Sequence, residues 1–114
     1  MHTPVEITFR AMDASPAMET AVRKWVERLE QAYDRIERCA VVVEQPHRHH
    51  RQGNQFAVHV YLTIPDRTIA ITRDPSADQT HENAFVALDD AFRAARRQLQ
   101  DHAQIVRGEI KAHA

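Results

Sequence analysis

The 114-residue sequence predicts one α+β domain with the element order β-α-β-β-β-α. Two stretches carry apolar residues at helical spacing, and four shorter stretches alternate between apolar and polar residues or are rich in β-branched residues. The links between the last three strands are short, so these strands should form an antiparallel meander. One face of the predicted four-stranded sheet carries the large apolar side chains, and both helices should pack on that face.

The first half of the chain predicts a strand, a helix and a second strand. Residues 5–10 alternate strictly, with the apolar side chains inward, and Ser15-Pro16 reads as an N-cap followed by a first helical residue. The helix that follows has an apolar stripe made of Met18, Val22, Trp25, Leu29, Ala32 or Tyr33, and Ile36. Residues 39–44 are rich in β-branched side chains and predict a central strand.

The second half predicts two strands and a long helix. Residues 55–64 alternate, with the apolar set Phe56, Val58, Val60, Leu62 and Ile64 inward and the set Ala57, His59, Tyr61 and Thr63 outward. A tight turn at 65–67 precedes a strand over 68–74, with Ile69 and Ile71 inward. The helix should run from Glu82 to Arg107, capped by Thr80 and stopped by Gly108. Its predicted stripe is Phe85, Leu88, Phe92, Ala95, Leu99, Ala103 and Val106.

Composition narrows the class of protein. No apolar stretch approaches the length of a membrane span, no secretory signal follows Met1, and a single cysteine, Cys39, cannot form an internal disulfide. We therefore expect a cytoplasmic domain without a membrane partner. The formal net charge is −1, from 15 basic and 16 acidic residues, so nucleic-acid binding would have to rest on local basic patches.

Catalytic and metal sites find little support in the sequence. No nucleophile motif, phosphate loop or metalloprotease motif occurs, and the adjacent Asp89 and Asp90 diverge on a helix and read as solvated surface acids. We expect no enzyme and no cofactor. His47 and His49 could chelate a metal with His50 or a second copy as third ligand, but a solvated turn is the favoured interpretation. We expect Cys39 to be a small buried hydrophobic residue and not a metal ligand.

Three clusters of basic residues favour RNA binding. One is the predicted hairpin tip His47-Arg48-His49-His50-Arg51, one is Arg23, Lys24 and Arg28 on the first helix, and one is Arg93 and Arg97 with Arg96 beside them on the second. Arginine contacts phosphate bidentately, and histidine stacks on bases or adds charge. A charged helix face is often only a solvated face. Three such clusters in a domain without other visible chemistry nevertheless favour RNA binding.

Three segments resemble a known family. The stretches "LEQAYDRIERCAVVVE", "AFVALDDAFRAARRQLQDH" and "VVVEQPHRHHRQG" are similar to the ribosome hibernation promoting factors, also called ribosome-associated translation inhibitors, and the last resembles a subgroup with a histidine-rich hairpin. The resemblance implies a fold like that of double-stranded-RNA-binding domains. It implies docking on the small ribosomal subunit between head and body, where the mRNA and tRNA paths are blocked during nutrient stress. By position it assigns RNA contacts to Arg28, Arg35 and Arg97.

The resemblance also bears on domain organisation. Long family members add a C-terminal dimerisation domain, and the histidine-hairpin subgroup often adds a cold-shock domain. Residues 1–114 show neither, so we expect a single ribosome-binding domain without intrinsic ribosome dimerisation, and no DNA partner. The predicted RNA-binding residues are Arg23, Lys24, Arg28, Arg35, His47, Arg48, His49, His50, Arg51, Arg93, Arg96 and Arg97.

An alternative function stays open. Ala94, Asp101 and Gln104 stand where the family commonly has lysine or continues with lysines. Together with the clustered histidines, this leaves a metal-responsive or protein-binding module on the same fold, without ribosome binding, as the second interpretation.

Overall fold

A computed structural model describes residues 3–45, 56–73 and 84–113, with side chains described to residue 105 in the last helix. It confirms the predicted β-α-β-β-β-α order. The strands are β1 (Val5–Arg10), β2 (Arg38–Glu44), β3 (Ala57–Ile64) and β4 (Arg67–Arg73), and the helices are α1 (Pro16–Ala32) and α2 (Ala84–His113). No helix in the described ranges is both long enough and apolar enough to cross a membrane.

The four strands form one mixed sheet in the order β1-β2-β3-β4. Strands β2, β3 and β4 are antiparallel, with Val41 opposite Val60 and Val60 opposite Ile71, so the predicted meander is confirmed. Strand β1 runs parallel to β2, with Val5 opposite Cys39. A parallel pair needs a long crossover connection, and α1 supplies it.

Helix α1 begins as its sequence predicts. Ser15 has an extended backbone, and its side-chain oxygen accepts a hydrogen bond from the backbone N–H of Met18 at 3.2 Å, with Pro16 in the first turn. The helix ends at Ala32, because Tyr33 returns to an extended conformation. Ile36, the last residue of the predicted helical stripe, lies beyond the helix, but it is buried.

The core lies between one face of the sheet and the two helices. Helix α2 covers β3 and β4, and α1 covers β1 and contacts α2. The largest fully buried side chains are Phe92, Leu29, Leu62, Ile64, Leu88, Leu99, Val22, Val41, Val43, Val58 and Val60. The alternation of β3 thus predicts its inward face correctly, except that Ala57, predicted outward, is buried.

Two predictions for α2 are wrong. Phe85 does not belong to the buried stripe, since it is 42% exposed, and the smaller Ala84, Ala87 and Ala91 face the core instead. Gly108 does not stop the helix, which continues to His113. A single glycine costs a helix about 1 kcal/mol relative to alanine, which is not by itself enough to end it. The predicted cap Thr80 lies outside the described residues.

Two titratable groups are buried in the described part of the chain. The thiol of Cys39 is fully buried on the core face of β2, as predicted, and burial raises its pKa from 9.0 to about 12. His102 of α2 is 5% exposed, although the pattern of apolar residues assigns this stretch of the stripe to Leu99 and Ala103. Among the described residues its Nδ1 atom has no hydrogen-bond partner.

Candidate nucleic-acid interface

A shallow groove between α1 and α2 is lined mainly by basic side chains. It encloses about 380 Å³ and is lined by Ala21, Lys24, Trp25, Arg28, Asp89, Arg93 and Arg96. We call it the interhelix groove. Lys24 and Arg28 come from α1, and Arg93 and Arg96 come from α2, so the packing of the two helices joins two clusters that the sequence predicts on separate elements.

Trp25 is the aromatic residue in the lining of the interhelix groove. Its indole stacks on Phe92, with ring centroids 5.6 Å apart and ring planes 7° from parallel. The guanidinium carbon of Arg28 lies 4.9 Å from the Trp25 ring centroid, within the range of a cation–π contact. The aromatic face therefore restrains the Arg28 head group, and the arginine remains exposed to solvent.

Asp89 is the acidic member of the groove. Its Oδ1 atom accepts a hydrogen bond from the Trp25 indole Nε1–H at 2.8 Å, which links α2 to α1. Asp89 and Asp90 are both half-buried, so the interpretation of the pair as solvated surface acids holds only in part. The neighbouring Asp90 lies 3.8 Å from the guanidinium of Arg93 on the same helix. The two carboxylates make different contacts, as expected for adjacent helical positions.

The groove has the chemistry of an anion site. Four cationic side chains line it together with one carboxylate. Three of the cations are arginines, whose planar guanidinium groups form paired hydrogen bonds with phosphate oxygens. The net positive charge is local, so a groove suited to anions is compatible with a chain whose overall formal charge is −1.

The other predicted contacts on the helices lie apart from the groove. Arg23 lines a separate depression between α1 and β1, beside Glu27 and Glu30, so the structure separates it from Lys24, its neighbour in sequence. Arg35 is exposed in the turn after α1, and Arg97 is exposed on α2 outside the groove lining.

The histidine-rich segment cannot be placed in this geometry. His47, Arg48, His49, His50 and Arg51 all lie outside the described residues, so their predicted RNA contacts and metal chelation stay predictions. In the part of the chain that is described, no group of three or more metal-ligating side chains occurs.

The contributions of Trp25 and Asp89 to the groove do not follow from the sequence pattern. Trp25 belongs to the predicted core stripe, and it is indeed 6% exposed, but it also lines the groove. One signal is present, because Arg28 follows Trp25 at the i,i+3 spacing that brings side chains together on a helix. No comparable signal joins Trp25 to Asp89, which lies 64 residues later.

Comparison with known proteins supports the assignment of the fold. A structure of a ribosomal subunit interface protein from Coxiella burnetii matches with a TM-score of 0.72 at 17% identity, covering 91% of this chain and 99% of that one. The Protein Y N-terminal domain from Thermus thermophilus matches with a TM-score of 0.67 at 16% identity, covering 90% and 99%. No curated protein matches the sequence significantly.

The family itself is shown by sequence. The family model described as sigma 54 modulation protein / S30EA ribosomal protein matches residues 5–107, which is most of the chain. This match and the two structural neighbours confirm the resemblance to ribosome-associated factors that the sequence motifs indicate. The chain belongs to the sigma 54 modulation protein / S30EA ribosomal protein family.

Proposed function

We propose that this protein binds the small ribosomal subunit through rRNA phosphates held in the interhelix groove, and that it inhibits translation in the cytoplasm during stress. The observation that carries the proposal is the convergence of Lys24, Arg28, Arg93 and Arg96 on one groove. RNA offers a dense row of phosphates, and cations from two helices can contact successive phosphates along it.

The family and the neighbours favour the ribosome over other polyanions. The family includes S30EA ribosomal protein, and one structural neighbour is a ribosomal subunit interface protein. A protein with this fold, bound between the head and body of the small subunit, would occupy the path of mRNA and tRNA. Inhibition then follows from exclusion, and the protein acts by binding rather than by catalysis.

The predicted contacts have unequal weight in this proposal. Arg28 is central, since the indole of Trp25 orients it. Arg35 and Arg97 are exposed and extend the basic surface beyond the groove. Arg23 contributes less, because Glu27 and Glu30 share its depression and offset its charge.

The test is sedimentation of the protein with small subunits through sucrose gradients over a range of salt concentrations. The double variant Arg28→Ala/Arg96→Ala should bind at least tenfold more weakly. The plot of log affinity against log salt has a negative slope, and the magnitude of that slope should decrease by about 2, because two phosphates are no longer neutralised. The matched control is Arg67→Ala/Arg73→Ala, which removes the same charge from β4 and should leave the slope unchanged. Equal effects of the two double variants would refute the groove as the binding surface.

Inhibition is tested separately in a cell-free translation assay. The wild-type protein should reduce the yield of a reporter, and the reduction should follow the ribosome affinity of the groove and control variants. A protein that binds small subunits without reducing translation would retain the binding half of the proposal and refute the inhibitory half.

A further inference from the structure

We infer that Asp89 makes the interhelix groove selective for RNA, by accepting a hydrogen bond from a ribose 2′-hydroxyl while the surrounding cations hold the adjacent phosphates. The inference rests on the proposed function and adds a specificity-determining residue to it. Its starting point is an acidic side chain that lines a groove otherwise rich in cations.

A carboxylate in this position works against the binding of phosphate alone. Like charges repel, and the repulsion is screened less in a half-buried groove than on an open surface. Asp89 also makes no ion pair with the groove cations within the described residues, so it does not serve to hold an arginine in place. Its side chain is instead held by the hydrogen bond from Trp25.

That hydrogen bond leaves Asp89 with acceptor capacity to spare. An ionised carboxylate has two oxygens with about four acceptor positions and no donor. The indole N–H occupies one position, on Oδ1. A ligand with a hydrogen-bond donor at this point would use the spare capacity of Asp89, and a phosphodiester has no such donor.

The ribose 2′-hydroxyl is the donor that suits a groove whose cations contact the phosphate backbone of RNA. It lies on every RNA nucleotide next to the phosphates, whereas amino groups occur only on some bases and lie farther from the backbone. A-form RNA displays its 2′-hydroxyls in a wide, shallow minor groove, and a protein that contacts them distinguishes RNA from DNA. The same carboxylate that disfavours bare phosphate would thus favour RNA.

The acceptor is positioned before any ligand arrives. Trp25 is fixed by its stack on Phe92 and by burial, and it holds the carboxylate through a 2.8 Å hydrogen bond. A preorganised acceptor avoids the cost of ordering a side chain on binding. This geometry separates Asp89 from Asp90, which lies beside the exposed Arg93.

The test compares two variants on two probes. Asp89→Asn keeps an oxygen for the Trp25 indole but places an amide donor where the carboxylate accepted, and Asp90→Asn is the control with the same change of charge one residue away. The probes are an RNA duplex of about 16 base pairs and the same duplex with 2′-fluoro riboses. Fluorine preserves the A-form and the phosphates and removes the donor. Trp25 is the one tryptophan of the chain, so its fluorescence reports binding and anisotropy of a labelled duplex checks it.

The wild-type protein and Asp90→Asn should prefer the RNA duplex by about tenfold, as expected for a hydrogen bond to a charged group. Asp89→Asn should lose this preference while binding the 2′-fluoro duplex at least as well as the wild type, because a repulsive charge has been removed. Unchanged near-ultraviolet circular dichroism confirms that the variants fold.

Three results would overturn the inference. Equal wild-type affinity for both duplexes, preserved discrimination in Asp89→Asn, or binding of small subunits but of neither duplex would each do so and leave the proposed function standing. Failure of the wild-type protein to bind both duplexes and small subunits would instead overturn the proposed function.

Discussion

The Nε2 atom of His102 lies 3.4 Å from Oδ1 of Asp66, which places α2 against the turn between β3 and β4. The two side chains differ in exposure: His102 is 5% exposed and Asp66 is 62% exposed. The contact is thus at the rim of the core, where a long polar contact contributes little, and the buried Nδ1 atom of His102 lacks a partner among the described residues.

We therefore expect His102→Leu to raise the free energy of unfolding by about 1 kcal/mol, since it removes an unsatisfied buried polar atom and adds apolar surface to the core. Asp66→Ala, which removes only the exposed partner, should change it by less than about 0.5 kcal/mol. Urea denaturation measures both. A His102→Leu variant less stable than the wild type would show that the contact with Asp66 outweighs the unpaired nitrogen.

The hydrogen bond between Trp25 and Asp89 should couple the two helices energetically. In a double-mutant cycle of Trp25→Phe and Asp89→Ala, we expect a coupling energy of about 1–2 kcal/mol, because the bond joins a neutral donor to a charged acceptor. The parallel cycle of Trp25→Phe with Asp90→Ala is the control and should give a value near zero. Similar values in the two cycles would mean that the indole senses helix packing rather than Asp89.

Burial of Cys39 predicts a loss of stability at alkaline pH. Its pKa is raised to about 12 in the folded protein, against 9.0 for an ordinary thiol, so from pH 9.0 upward the unfolded chain loses this proton while the folded chain keeps it. Ionisation then favours the unfolded state, and stability should fall by up to about 1.4 kcal/mol per pH unit in this range.

The control is Cys39→Ala, which lacks the thiol but shares every other titrating group. The difference in unfolding free energy between wild type and Cys39→Ala should shrink as the pH rises above 9.0 toward the raised pKa. If the unfolding free energies of the two proteins ran parallel against pH, the raised pKa of Cys39 would be contradicted. The same burial should keep iodoacetamide from alkylating the folded protein at neutral pH, since only the thiolate reacts.

The RNA contact of the segment from His47 to Arg51 stays a prediction from the sequence. Histidine titrates near pH 6.5, so a hairpin tip that touches RNA should bind small subunits more tightly at about pH 6 than at about pH 8, because imidazolium adds charge against phosphate. Arg48→Ala/Arg51→Ala should weaken binding and flatten its salt dependence. Affinity that does not change across this pH range would argue against contact through the histidines, and an unchanged salt slope would remove the tip from the interface.

The sequence predicts the secondary-structure elements better than it predicts how they pack against one another. The cap at Ser15 and the alternation of β3 are local signals, and both are confirmed apart from the burial of Ala57. The buried stripe of α2 is harder to predict. Hydrophobicity alone would bury Phe85 and expose His102, whereas Phe85 is exposed and His102 is buried. Burial there depends on how far the sheet extends beneath the helix, which is a property of the whole fold.

The candidate site shows the same limit. Lys24, Arg28, Arg93 and Arg96 are all identifiable as candidate RNA contacts from their residue type. Their convergence depends on the packing of α1 against α2, and the role of Asp89 depends on a hydrogen bond between residues far apart in the chain. Proximity in sequence groups Arg23 with Lys24, but a helix turns adjacent residues about 100° apart and the two face different surroundings.

The parallel pairing of β1 with β2 has a consequence for the order in which the chain folds. Val5 pairs with Cys39, so β1, which is synthesised before the other three strands of this sheet, has no hydrogen-bonding partner until α1 and β2 have followed it. The β2-β3-β4 meander consists of antiparallel neighbours joined by closer links, and contacts of low sequence separation form fastest. In a freshly made chain, β1 should therefore join the sheet edge after the meander has assembled, and α1 should dock with it.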